Sequence, residues 1–124
     1  MEIVKTEKAP QAIGPYSQGV CASGFLFVSG QLPFDPTTGI FVPGGIREQT
    51  TQVLLNAKAI VEAAGLKISQ VVKVTVLLAD MNDFSIMNEI YATFFSEPFP
   101  ARVAFQVARL PKDALIEMEM IVAK

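Results

Sequence analysis

The hydrophobic period of this chain changes four times along its length, and that alternation limits the fold more than any motif does. Ser17 to Ala22 and Phe25 to Gln31 are short β-prone runs joined at Ser23-Gly24, a hairpin turn. From Ile46 to Ala64 the period becomes that of a helix. Ile46, Val53, Ala57, Ile60, Val61 and Ala64 share a face, Arg47, Glu48, Gln52, Lys58 and Glu62 lie off it, and Gly65 follows as a left-handed cap. Val71 to Ala79 returns to β character, with Val72, Val74, Val76 and Leu78 alternating to one side. A second helix starts near Asn82-Asp83, both good N-caps, and runs to about Ser96. Its stripe of Met87, Ile90 and Phe94 suits a sheet. Its stripe of Phe84, Asn88, Tyr91 and Phe95 mixes an amide and a phenol with rings, and suits a subunit interface or pocket. Ala101 to Ala108 and Leu115 to Val122 close the chain as strands. Ala9 to Tyr16 and Leu32 to Gly45, rich in proline and glycine, are shaped loops. With a weak first strand around Ile3 to Thr6, the order is β-β-β-α-β-α-β-β over one domain, residues 1–124. That is an α+β fold with two helices on one face of a mixed sheet.

Such a sheet leaves its other face bare. The 124 residues are 51% apolar and 18% charged, so that face is expected to be covered by further copies of the chain. Ten basic against twelve acidic residues, net charge −2, argue against nucleic acid as a partner. Histidine is absent, which removes Ser-His-Asp triads, Cys-His pairs and imidazole metal sites. Cys21 is the only cysteine, so neither an intrachain disulfide nor a thiolate zinc cluster is possible. The N-terminus is charged where a signal peptide is apolar, and no run reaches the ~18 apolar residues of a membrane span. The expectation is a cytoplasmic oligomer with no cofactor, no metal and no membrane partner.

Candidate chemistry concentrates in the last two strands. Arg102, Ala104 and Gln106 share a side of one; Leu115, Glu117, Glu119 and Ile121 share a side of the other. Paired as a hairpin centred near Pro111, they set Arg102 and Ala104 opposite Glu119 and Glu117. A guanidinium fork beside carboxylates, with a small gap at Ala104, is a way to grip a small carboxylic acid next to an acid–base group. An ordinary cross-strand ion pair on a solvated face has the same pattern. Ser29-Gly30 is either a strand end or an oxyanion-binding backbone. Tyr16 is either a loop peg or a phenol over a pocket, and Asn88 either a surface amide or part of that pocket.

In combination these residues resemble the Rid (reactive intermediate deaminase, YjgF) family. The matching stretches are Ala12-Ile13-Gly14-Pro15-Tyr16-Ser17-Gln18, Phe27-Val28-Ser29-Gly30-Gln31, Asn56 to Gly65, Asn82-Asp83-Phe84, and Asn88 with Tyr91. Phe99-Pro100-Ala101-Arg102, Val107-Ala108-Arg109-Leu110-Pro111-Lys112 and Ile116-Glu117-Met118-Glu119 complete them. Arg102 together with Glu117 makes the RidA subfamily the most similar. The resemblance implies a chorismate-mutase-like (bacillus-type) fold and a homotrimer with a central barrel and clefts between subunits. It implies hydrolysis of 2-iminobutanoate and 2-iminopropanoate to 2-oxo acids and ammonia, without a cofactor. It also implies a functional link to the pyridoxal-phosphate-dependent dehydratases that release those imines. Carried over, Arg102 clamps the substrate carboxylate, Glu117 acts on the water or the departing nitrogen, and Ser29 and Gly30 hold the carboxylate end. Tyr16 and Asn88 line the cleft, and Ala104 sets pocket size. Val103-Ala104 stands where many RidA members have Ser-Cys, and Ser96-Glu97-Pro98-Phe99 is a shorter loop. Both bear on substrate preference. The competing functions are a non-catalytic sensor of 2-oxo acids and an endoribonuclease or translation inhibitor.

Overall fold

Ser23 and Gly24 both take left-handed backbone, φ 53° and 82°, which closes the expected hairpin with the twist its strands need. In this computed structural model, which describes all 124 residues, eight main elements follow in chain order. They are β1 (Glu2–Val4), β2 (Gly19–Ala22), β3 (Phe25–Gln31), α1 (Ile46–Ala63), β4 (Val71–Leu78), α2 (Phe84–Phe94), β5 (Ala101–Gln106) and β6 (Ile116–Ala123). The strands form one mixed sheet in the order β1-β2-β3-β6-β4-β5. The element order and class are those read from the sequence; most boundaries move by one or two residues.

Gly65 ends α1 at φ 78°, and its N–H donates to Glu62 O while Leu66 N–H reaches Val61 O. These two bonds satisfy carbonyls that the helix end leaves free. The buried face of α1 is wider than its apolar residues indicate, since Gln49, Thr50 and Asn56 are buried as well. Asn56 donates to Leu32 O and Phe34 O at 3.1 and 2.8 Å, tying the loop after β3 to the helix. Gln18 does the same for the loop before β2, accepting from Thr6 N–H at 2.7 Å and donating to Pro10 O at 2.7 Å. Leu26, Val74, Val76, Ile116, Met118 and Val122 from the sheet meet Val53, Ile60, Val61 and Met87 from the helices in the core.

Three sequence expectations need correction. In β4 a register shift between Val71 and Lys73 leaves Val72 as an extra residue, so Val71, not Val72, joins Val74, Val76 and Leu78 on the buried face. In α2 the mixed stripe is the deeper one. Tyr91 and Phe95 are buried beside Met87, whereas Ile90 and Phe94 are only half-buried. Its first turn is preceded by a 3₁₀ turn whose cap is Asp80, accepting from Asn82 N–H at 2.9 Å.

The third correction matters most for function. β5 and β6 do not form a hairpin. β5 pairs parallel with β4 at the sheet edge, and β6 lies on the other side of β4, inserted antiparallel between it and β3. The cause is apolar content on the helix-facing side. β6 offers Ile116, Met118, Met120 and Val122, all buried, whereas β5 offers Arg102, Ala104 and Gln106 and has no buried residue. A strand with that inner face belongs at an edge.

Candidate active site

Two separate groups of the expected site residues result. Arg102 pairs in register with Val74, and Ala104 with Val76, so both point to the helix-covered side. Glu117 and Glu119 pair with Leu77 and Thr75 and point to the open side. Within one chain Arg102 and Glu117 therefore occupy opposite faces of the sheet, and neither Glu117 nor Glu119 stands opposite Arg102 or Ala104.

The Arg102 group is built on α2. Phe84, Asn88 and Tyr91 recur at i, i+4 and i+7, which stacks them along one side of the helix. The Arg102 guanidinium donates from Nη1 to Asn88 Oδ1 at 2.7 Å. Its Cζ lies 4.7 Å from the Tyr91 ring centroid and 5.5 Å from that of Phe84. No carboxylate comes within ion-pair distance; the ion pairs of the chain are Arg47–Glu89, Lys58–Glu62 and Arg109–Asp113. Ala104, half-buried on the same side two residues on, adds little bulk beside the arginine. The Tyr91 hydroxyl is buried without a hydrogen-bond partner, and burial raises its pKa despite the nearby Arg102 charge.

The Glu117 group is built on an irregularity. Pairing of β3 with β6 runs Val28 to Met120 and then Gln31 to Met118, so Ser29 and Gly30 bulge from the ladder. The Glu117 carboxylate packs against Gly30 so closely that a Cβ at position 30 would overlap it. Ser29 donates from Oγ to Ser17 O and from N–H to Gln18 O, which draws the loop carrying Tyr16 towards the bulge. Tyr16 itself is 52% exposed. Burial first, and the charge of Glu119 second, push the Glu117 pKa above its ordinary value. No three His, Cys, Asp or Glu side chains gather at a point where a metal ion would sit.

The structure thus unites Arg102, Asn88 and Ala104 in one place and Glu117, Gly30 and Ser29 in another, with Tyr16 on the loop that is tied to Ser29 through Ser17 and Gln18. Sequence reasoning put Phe84 and Tyr91 on the stripe suited to a pocket or interface, but gave neither a role towards Arg102. Their helical spacing around Asn88 was read, but the arginine was set against the last strand and not against this stripe.

Residues 6–124 match the family described as Endoribonuclease L-PSP. The chain belongs to that family. The family also includes solved proteins named RidA and YjgF, in agreement with the motif resemblance. A RutC family protein of Pyrococcus horikoshii is 59% identical over 99% of this chain and 98% of its own. The bovine (Bos taurus) 2-iminobutanoate/2-iminopropanoate deaminase is 52% identical over 97% of this chain and 88% of its own. Among solved structures, Escherichia coli TdcF with bound serine is 46% identical, with a TM-score of 0.95 over 100% of this chain and 99% of that one. The match extends to the fold: two helices on one face of a six-stranded mixed sheet.

Proposed function

We propose that this L-PSP family protein hydrolyses small 2-imino acids, 2-iminobutanoate and 2-iminopropanoate, to 2-oxo acids and ammonia. The observation that carries the reading is Arg102: a guanidinium held from beneath by two rings and an amide, with no acidic partner of its own. It is a receptor waiting for a carboxylate. The mammalian relatives named for this deaminase and the serine-bound relative support a small carboxylate substrate. A net charge of −2, from ten basic and twelve acidic residues, gives no overall electrostatic pull on RNA, which disfavours ribonuclease action despite the family description.

In the proposed mechanism Arg102 takes the substrate carboxylate with parallel N–H bonds, and Ser29 and Gly30 bind near its end. Tyr16 and Asn88 flank the cleft. Water adds to the imine carbon, and Glu117 accepts the water proton. Glu117 returns that proton to nitrogen to give the carbinolamine, then moves the carbinolamine hydroxyl proton to the same nitrogen as the C=O bond forms and the C–N bond breaks, releasing ammonia and a 2-oxo acid. An imine is already electrophilic, so orientation and one acid–base carboxylate of raised pKa suffice, proton transfer alone giving roughly 10²–10⁴-fold. Because Arg102 and Glu117 face opposite ways, each cleft is proposed to take Arg102 from one copy and Glu117 from another. A homotrimer in which the β5 edge of one copy meets the open sheet face of the next meets that need.

The test uses imine generated in situ by a threonine dehydratase, with titration of 2-oxobutanoate as the binding measure. Arg102→Ala should lose about 2–5 kcal/mol, roughly 30- to 4000-fold in kcat/KM, and lose 2-oxobutanoate binding. Arg102→Lys should recover only part, because an ammonium cannot bind side-on. Glu117→Gln should lower kcat and keep 2-oxobutanoate binding. Wild-type protein that binds 2-oxobutanoate yet leaves imine decay unchanged would make it a sensor instead.

A further inference from the structure

Arg102 stands on an edge strand, where a long side chain is ordinarily free to sample many directions. Here α2 removes that freedom. Asn88 Oδ1 fixes Nη1 at 2.7 Å, and the Tyr91 face, 4.7 Å from Cζ, sets the plane from below with Phe84 at 5.5 Å. All three groups are uncharged, so they orient the guanidinium without cancelling its charge. The Arg102 guanidinium makes no other hydrogen bond or ion pair, and its edge running from Nε to Nη2 is left to a ligand.

We propose that Asn88 and Tyr91 are positioning residues: they aim the Nε–Nη2 edge of Arg102 into the cleft and, being neutral, leave its charge for the substrate carboxylate. This rests on the assignment of Arg102 as the carboxylate clamp. It changes the part given to Asn88, whose oxygen is engaged by Arg102. It also gives a use to Tyr91 that depends on the ring, since the buried hydroxyl bonds to nothing. An acidic side chain in place of Asn88 would be a permanent internal substitute for the substrate.

The experiment compares Asn88→Asp, Asn88→Ala, Tyr91→Leu and Tyr91→Phe for 2-oxobutanoate binding, imine turnover and the Arg102 Nη resonances by nitrogen NMR. Asn88→Asp should raise the 2-oxobutanoate Kd at least tenfold by neutralising the guanidinium. Tyr91→Leu should raise KM about three- to tenfold with kcat little changed, a loss typical of a removed cation–π contact, and Tyr91→Phe should restore it. Free wild-type protein should show separate Nη1 and Nη2 signals, merging in Asn88→Ala and Tyr91→Leu as the guanidinium rotates. Folded Asn88→Asp and Tyr91→Leu variants with wild-type Kd and KM, or Nη signals unaltered in Asn88→Ala and Tyr91→Leu, would overturn the proposal. Wild-type 2-oxobutanoate binding by Arg102→Ala would instead overturn the clamp itself, while the NMR comparison still reports on the cradle.

Discussion

Glu117 is held in a neutral-favouring place by two different causes, and they can be separated. Burial comes from its position against Gly30, and the repulsive charge from Glu119, two residues along the strand. Glu119→Gln removes only the charge, so the Glu117 pKa should fall towards its ordinary value, and the limb of the kcat/KM pH profile set by Glu117 should move to lower pH. An unmoved limb would show that another group titrates. The stability effect has its own sign. A carboxyl whose pKa is higher in the folded state destabilises that state as pH rises through the folded value. Glu117→Gln should therefore melt higher than wild type at neutral pH, the difference closing on acidification below the ordinary carboxylate range. Gly30→Ala should abolish turnover without unfolding the chain, because the added methyl displaces the carboxylate, a flexible side chain, and not the backbone.

At the scale of elements, the loops depend on buried amides as much as on their prolines. Asn56→Ala leaves the carbonyls of Leu32 and Phe34 without donors, and should cost about 2–4 kcal/mol in denaturant unfolding, with the β3–α1 loop the first to lose hydrogen-exchange protection. That dependence was not legible from periodicity, which marks apolar faces and is silent on polar residues such as Asn56, Gln49 and Gln18 that are buried because they bond. The elements themselves were legible, since each change of hydrophobic period falls where the structure changes element. Pairing was legible only where a tight turn dictated it, as at Ser23-Gly24. β5 and β6 are joined by a longer stretch, residues 107–115, and nothing in that stretch forces them together. Their partners were settled by which strand could offer an apolar inner face, and β4 took the place between them. The candidate site was legible as a set of residues and misread as a geometry for the same reason.

The whole molecule follows from that misreading. The open sheet face carries Phe25, Phe27, Val103 and Phe105, each 40–45% exposed, beside Leu77 and Ile121. Water against so many rings is unfavourable, and cover by further copies of the same sheet relieves it. Sedimentation equilibrium should give about three times the 13.4 kDa of one chain, and a stable monomer would remove the shared cleft. No helix is long and apolar enough to cross a membrane. A cleft divided between copies also makes two inactive variants complementary. Arg102→Ala and Glu117→Gln chains, unfolded together in equal amounts and refolded, should form mixed trimers in which about one cleft in four has an intact arginine from one chain and an intact glutamate from its neighbour. Imine hydrolysis measured on that mixture should recover to about a quarter of the wild-type rate, although each variant refolded alone stays inactive. Mixed trimers no more active than the separate variants would place Arg102 and Glu117 in a cleft of one chain, and contradict the divided site.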